Sequence, residues 1–130
     1  MTLSTTTVKN SYSGNGSTTA FTYNFAINST SELVVIIRSS TGTETVKSIT
    51  THYTVADAGA AGGTVTMGSA PASGETLVLI RDTSLTQETD YVANDPFPAE
   101  THESALDKLQ MQIQEVQEEV DRSLKISRTN

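Results

Sequence analysis

Residues 98–128 read PAETHESALDKLQMQIQEVQEEVDRSLKISR, and this stretch decides how the chain is organised. Its apolar residues recur at intervals of three and four, the spacing that aligns side chains along one seam of a coiled-coil helix. The seam consists of Leu106, Leu109, Ile113, Val116 and Val120, and Leu124 follows it. We therefore predict one long helix of about 30 residues, a rod about 45 Å long that starts at Pro98.

The seam is narrow, and two explanations compete for it. An amphipathic helix most often packs against the core of its own domain. Here, however, no flexible glycine linker precedes the helix, and the seam is flanked by Gln110, Gln112, Gln114 and Gln117. The sequence therefore favours self-association, and we predict that the five seam residues and Leu124 hold an oligomer together. Mixed Leu, Ile and Val at the core positions do not choose between dimer and trimer.

Charge and register add detail to the predicted helix. Glu118 with Arg122, and Asp121 with Lys125, have the spacing of favourable pairs one helical turn apart. Leu124 lies four residues after Val120, where a strict heptad requires three. Such a stutter locally unwinds a supercoil.

A short joint precedes the helix. Residues 91–98 read YVANDPFP, and two prolines in three residues exclude helix before Pro98 and stiffen an extended connection. We expect Pro96 and Pro98 to fix a rigid exit, so that the helix projects away as the root of a shaft. Phe97 is placed to pin the start of the helix onto the preceding domain. Pro96, Phe97 and Pro98 are therefore the predicted joint residues.

The first 95 residues have the pattern of an all-β domain. In residues 20–27, AFTYNFAI, Phe21, Tyr23 and Phe25 alternate with polar residues, as in a half-buried strand. The apolar runs 33–37 and 76–80 predict strands buried on both sides. Further short strands are predicted within 43–50, 52–56 and 64–67, with a flexible, exposed loop at 57–63. Six or seven short strands favour an antiparallel sandwich or small barrel.

This pattern divides the chain into two parts. Residues 1–95 form the predicted β-sandwich, and residues 96–130 form the joint and the coiled-coil helix. The whole chain of 130 residues has room for one modest domain plus the helix. Serine and threonine supply more than a quarter of the residues, and aromatic residues only 5%. Threonine suits a solvated sheet face, because its branched side chain favours strands and its hydroxyl tolerates water.

Charge and composition also exclude classes of partner. The formal net charge is −7, from 15 acidic and 8 basic residues, so nucleic acid and anionic membranes would be repelled. There is no cysteine, which removes disulfides and thiol chemistry. The N-terminus, MTLSTTTVKN, lacks the features of a secretory signal, and no apolar run is long enough to cross a bilayer. We expect synthesis in a cytoplasm without export by the general secretory route.

No catalytic or metal-binding motif stands out. The densest titratable group, around His102, comprises Asp82, Glu88, Asp90, Asp95, Glu100 and Glu103, with no fixed spacing and no aromatic platform for a sugar close by. A hydrolase would need an acid and a base from this set. Solvated charges on a loop and a helix start explain the set better. We predict no enzyme activity, no cofactor and no metal.

The layout resembles the N-terminal, particle-attaching domain of tail-fibre proteins from short-tailed bacteriophages of the podovirus, autographivirus type. The resemblance rests on FTYNF at 21–25, LVVIIR at 33–38 with its following Thr-Gly turn, HYTV at 52–55 and GETLVLIR at 74–81. It continues through DPFPAETHESALDKLQMQIQEVQEEVDRSLKIS at 95–127. It therefore covers nearly the whole chain, and the order of these pieces is its most specific element.

The resemblance implies a structural virion protein made in the bacterial host cytoplasm. Its β-sandwich would grip the tail adaptor or nozzle, its helix would form a homotrimer that starts the fibre shaft, and receptor binding would lie further along. Two alternatives stay open: a stand-alone adaptor that carries a separate receptor-binding protein, and a carbohydrate-binding adhesin module. A capsule-degrading enzyme is a third, weaker alternative.

Overall fold

Two antiparallel sheets and one C-terminal helix make up the structure, a computed structural model that describes residues 3–57, 59–94 and 96–129. The strands are β1 Lys9–Ser13, β2 Ala20–Tyr23, β3 Leu33–Arg38, β4 Glu44–Lys47, β5 Tyr53–Asp57, β6 Gly63–Met67 and β7 Thr76–Arg81. The helix, α1, is Ala99–Arg122. Two 3-10 turns, Thr30–Glu32 and Gly59–Ala61, complete the regular elements of the described residues.

The strands form sheets of different width. The larger sheet has the order β1-β7-β3-β4 and the smaller has the order β2-β6-β5. Every pairing between these strands is antiparallel. Because β6 and β7 follow each other in the chain but lie in different sheets, the turn after Met67 carries the chain from one sheet to the other.

One apolar core joins the two sheets. Leu33, Val35, Leu77 and Leu79 of the larger sheet belong to the same buried cluster as Val65 of the smaller sheet. Each of these side chains is almost completely buried. Two sheets that share one core are consistent with the predicted sandwich.

The predicted alternation of Phe21, Tyr23 and Phe25 is confirmed, since all three are buried and the residues between them are exposed. The prediction that β3 is buried on both sides is wrong in part. Leu33, Val35 and Ile37 point into the core, whereas Val34 and Ile36 are only half-buried on the outer face. Strand β1 was not predicted, because its sequence KNSYS has no apolar alternation and the strand forms by pairing with β7.

The helix begins where predicted but ends earlier. Pro98 is its N-terminal flanking residue, in extended conformation, and the first helical residue is Ala99. The last is Arg122, six residues before the predicted end at Arg128. Ser123 ends it, because its backbone N–H and its hydroxyl both donate to the carbonyl oxygen of Val120.

The helix does not project away from the β-domain, and that prediction is wrong. Side chains along its middle contact the β-domain: Lys9 lies 2.9 Å from Glu118, and Arg81 lies 2.9 Å from Glu115. The side-chain amide of Gln114 donates to the backbone carbonyl of Thr5 at 3.0 Å. The stretch between β7 and α1, irregular over 82–94 and 96–98, is long enough to let the helix return, although its sequence holds no glycine.

We predict that Gly62→Ala destabilises the fold far more than Gly42→Ala. Both glycines have positive φ, 105° at Gly62 and 95° at Gly42, so both substitutions carry backbone strain of about 1 kcal/mol. A Cβ at Gly62 would also overlap the backbone carbonyl of Tyr23, whereas a Cβ at Gly42 meets open space. Urea unfolding should show a further loss of at least about 2 kcal/mol for Gly62→Ala. Equal losses would contradict the close approach.

Candidate functional site

Two opposite faces of α1 have different chemistry. Successive residues of a helix are rotated by about 100°, so residues at spacings of three and four share a face. Lys108, Met111, Glu115, Glu118 and Arg122 form one face, which contacts the β-domain and is called here the docking face. Leu106, Leu109, Ile113, Val116 and Val120 lie on the opposite side, about 180° away, and are called here the apolar stripe.

The docking face has one fully buried side chain, Met111, with 0% of its surface exposed. Its sulfur lies 3.4 Å from the side-chain amide nitrogen of Asn28. The flexible thioether suits such an irregular contact between a helix and loop residues. Sequence reasoning missed Met111 because it lies outside the seam, although it belongs to a second set of residues spaced three and four apart.

Arg81 is the centre of the docking contacts. It ends β7 on the same face as Leu77 and Leu79, which places its side chain at the buried end of the core, 3% exposed. Its Nε donates to Glu115 at 2.9 Å, one Nη donates to the carbonyl of Ala26 at 3.0 Å, and the other donates to the Gln114 side chain at 2.8 Å. A buried guanidinium requires such partners, because an unpaired charge in the interior is costly.

Glu115 also binds the chain just after β7. The Thr83 hydroxyl donates to its carboxylate at 2.6 Å, and the Thr83 backbone N–H donates to the same carboxylate at 3.0 Å. Thr83 is 1% exposed. One carboxylate therefore accepts from two residues of the β-domain, which fixes the rotation of α1 about its own axis.

A second group of ion pairs lies at the C-terminal end of the docking face. The Glu118 carboxylate accepts from Lys9 at 2.9 Å and from Arg122 at 2.6 Å. Burial alone would raise the pKa of Glu118, but the hydrogen bonds from Arg122 and Lys9 outweigh it and lower that pKa. The predicted pair of Glu118 with Arg122 is confirmed, as is that of Asp121 with Lys125 at 3.5 Å.

The apolar stripe is exposed to solvent. The exposed fractions of its five side chains run from 43% at Val120 to 60% at Ile113. Leu124, the sixth predicted oligomerisation residue, lies beyond the end of the helix and is fully exposed. The stutter therefore falls at the helix terminus, and the seam within the helix has five members.

An irregular segment, residues 84–91, runs beside the N-terminal half of α1. Gln112 donates to the Ser84 carbonyl at 2.7 Å, and the Lys108 ammonium donates to the Thr86 carbonyl. A groove of about 1060 Å³ lies between this segment and the helix, and we call it the leucine groove. Its apolar lining includes Leu85, 84% exposed, together with Leu106 and Leu109 of the stripe.

The joint residues lie in an aromatic cluster at the helix start. Phe97 stacks on Tyr91 with ring centres 5.4 Å apart, and its ring lies 5.0 Å from that of His102. Phe97 is 65% exposed, so the prediction that it pins the helix onto the β-domain is wrong. It joins the irregular segment to the first turns of the helix instead, and Pro96 and Pro98 flank it at the same surface depression.

The acidic group around His102 is only partly assembled. Glu88, Asp90, Glu100 and His102 line the leucine groove, whereas Asp95 lies outside the described residues. Tyr91 and Phe97 are close to these groups, which corrects the expectation that no aromatic platform is near. Within residues 3–57, 59–94 and 96–129, no group of three or more His, Asp or Glu could hold a metal ion.

In the same described part of the chain, no helix is long and apolar enough to cross a membrane.

Comparison with known proteins shows a similarity to a phage tail protein. The chain is 43% identical over 117 residues to the tail spike protein of Salmonella phage epsilon15. The aligned region is 89% of this chain but 11% of that protein, so the chain spans about a ninth of the length of this relative. No family model matches the chain. This similarity agrees with the expectation of a phage tail protein and does not extend to the activity of the much longer relative.

We predict that Glu115→Gln loosens the helix from the β-domain. The substitution leaves the buried Arg81 guanidinium without its carboxylate, and breaking such a pair costs about 3–5 kcal/mol. Urea unfolding should show a loss near the lower end of that range, because Glu115 keeps partial solvent contact. Glu119→Gln, one turn along on an exposed position, is the matched control and should change stability by less than about 0.5 kcal/mol.

Docking should also weaken in acid through Glu118. Its pKa is lower in the folded chain than in the unfolded chain, where it is about 4.3. Its contribution is therefore complete above the unfolded pKa and is lost as the pH falls through the folded pKa. The stability difference between the native chain and Glu118→Gln should be constant above about pH 5 and shrink below about pH 4. A stability difference that does not shrink as the pH falls below the unfolded pKa would contradict this assignment.

Proposed function

We propose that the chain is a structural module of a phage tail protein and associates into a parallel homotrimer through the apolar stripe of α1. The similarity to a tail spike protein supports the tail role and a location in the virion. The observation that carries self-association is the stripe itself. A helix whose docking face is already occupied by its own β-domain leaves five apolar side chains in solvent on the other side.

The stripe offers enough apolar surface to drive association. Burying a Leu-, Ile- or Val-sized side chain completely contributes ~1.5–3 kcal/mol, and the stripe residues are about half exposed. Five such residues therefore supply roughly 5 kcal/mol per copy. Three copies together supply roughly 15 kcal/mol, which exceeds the lower end of the cost of the two association steps that form a trimer, about 8–30 kcal/mol.

The docked helix changes the shape expected of the trimer. Since the docking face and the stripe are opposite, three stripes that meet on an axis leave the three β-domains around the outside of the helix bundle. The outer surfaces of the β-domains are then free to contact tail adaptor or nozzle proteins. A shaft, and any distal receptor-binding part, would continue beyond Ser123 and not from Pro98.

A stand-alone adaptor that carries a separate receptor-binding protein uses the same surfaces and the same trimer. Both versions place the chain in phage particles. Mass spectrometry of purified particles of the phage that encodes the chain should detect it, and its absence from particles would overturn the tail role.

A carbohydrate-binding module is a second candidate, and one observation favours it. Tyr91 and Phe97 are exposed aromatic residues, and Tyr91 lines the same groove as Glu100. Against it, the two rings stack on each other and each has at most one free face. A glycan array tests sugar binding directly. A saturable signal that is lost in Tyr91→Ala would support it.

We propose that the chain catalyses no reaction. Capsular polysaccharide should therefore keep its viscosity after incubation with the chain.

We predict that the double substitution Ile113→Asp with Val116→Asp gives a monomer. Two carboxylates on the stripe would have to be desolvated at the centre of the bundle, which costs more than the apolar contacts return. Sedimentation equilibrium should show three chains for the native protein and one for the variant.

The matched control adds the same two charges away from the stripe. Val46→Asp with Ser69→Asp alters two exposed positions of the β-domain and should leave a trimer. A double variant at Ile113 and Val116 that still sediments as a trimer would show that the stripe is not the interface.

A further inference from the structure

Met111 is the buried side chain of α1 and also a chemically reactive one. It has 0% of its surface exposed, whereas the apolar stripe on the opposite side of the helix is exposed. Peroxides oxidise a thioether when its sulfur meets solvent, so burial protects Met111 while the helix is docked. How often the docking face opens therefore decides whether this sulfur reacts.

The docking face is held mainly by contacts that water can replace. Glu115 binds Arg81 and Thr83, and Glu118 binds Lys9. When both partners of such a contact become hydrated together, little free energy is lost, because each exchanges one hydrogen bond for another. Separation of an apolar interface would instead expose its whole area to water. The docking face should therefore open at a lower free energy than the β-domain unfolds.

The β-domain can stay folded when the helix leaves. Among the described residues, the buried cluster that joins the two sheets is formed by the β-domain alone. Arg81 also has partners there, since it donates to the carbonyl of Ala26 at 3.0 Å and its guanidinium lies 6.0 Å from the centre of the Phe25 ring. Opening of the helix would let water reach this charge, so that no unpaired charge would remain buried.

We propose that Met111 is an oxidation site that peroxides reach through opening of the docking face, and that its sulfoxide prevents the helix from docking again. The sulfur lone pair attacks one oxygen of hydrogen peroxide, the O–O bond breaks, an S–O bond forms, and proton transfer releases water. The sulfur loses the two electrons that the peroxide gains, so the reaction needs no further reactant. The inference does not rest on the proposed self-association, because the docking face lies opposite the apolar stripe.

The docked position of Met111 does not suit a sulfoxide. The sulfur lies 3.4 Å from the side-chain nitrogen of Asn28, and the whole side chain is buried. The added oxygen makes the group larger and polar, so its burial requires displaced neighbours and a hydrogen-bond donor. Asn28 would have to move before its amide could donate to the new oxygen. Oxidation should therefore favour the open helix, and enzymatic reduction of the sulfoxide should reverse the effect.

Mass spectrometry of peptides from peroxide-treated chain tests the opening step. Met67, 5% exposed in the core of the β-domain, is the internal reference. Glu115→Gln should raise the oxidation rate of Met111 at least about tenfold and that of Met67 less than about twofold. Glu119→Gln, at an exposed position of the same helix, should change either rate by less than about twofold.

Two results of this experiment would overturn the proposal. Equal acceleration of Met67 and Met111 in Glu115→Gln would show that the sulfur is reached by unfolding of the whole chain. An unchanged rate at Met111 in that variant would show that oxidation does not pass through the docking face.

Hydrogen exchange tests whether the sulfoxide keeps the helix open. After peroxide treatment, the backbone amides of α1 should exchange at least about tenfold faster, while those of β3 and β7 keep their rates. Treatment with methionine sulfoxide reductases should restore slow exchange in α1. An oxidised Met111 whose helix exchanges at the native rate would overturn this part of the proposal.

Two leucine variants assign the effect to one sulfur. Met111→Leu keeps an apolar side chain of similar volume that cannot form a sulfoxide, so peroxide should leave its helix protected. Met67→Leu is the matched control and should respond to peroxide like the native chain. A peroxide response of α1 that persists in Met111→Leu would overturn the assignment.

Discussion

The hydrogen-bonded ion pair between Arg81 and Glu115 is the constraint on which the arrangement of the helix depends. A guanidinium at the buried end of β7 must have a carboxylate, and Glu115 is the one that reaches it. Because Glu115 also accepts from Thr83, the helix is fixed in rotation as well as in position. That rotation turns the apolar stripe outward, and the proposed self-association follows from this outward orientation.

The β-domain and the helix are stabilised by different kinds of interaction. The β-domain has an apolar core shared by both sheets, with Tyr23, Phe25, Leu77 and Leu79 almost fully buried. The helix contributes one fully buried side chain, Met111, and otherwise docks through charges and amides. Apolar surface that would normally anchor a helix to its domain is therefore available for another molecule. A chain that both folds and self-associates, as proposed for this one, has a use for such a division.

Much of the fold could be predicted from the sequence, because alternation in strands and spacing in the helix report burial directly. Strand β1 could not be predicted, because KNSYS has no apolar alternation and its pairing with β7 is a long-range interaction. Docking of the helix could not be predicted from apolar periodicity, because Met111 is the one fully buried side chain of the helix and the other docking residues are polar. A signal was present: Arg81 continues the alternation of Leu77 and Leu79, which places a charge on a buried face and requires a carboxylate elsewhere. The leucine groove could not be predicted, because residues 84–91 have no periodic pattern of apolar residues.

The polar character of the docking face also sets an order of events in time. Docking of α1 joins groups of one chain, so its rate does not depend on concentration, whereas meeting of two stripes is a collision between molecules. Under the proposed self-association, a newly made chain at low concentration would therefore dock its helix before it meets a copy. Since charged residues tolerate water, a helix that is still undocked exposes little on that side that could capture the wrong neighbour. Each copy would then enter the proposed oligomer with the rotation of its helix already set.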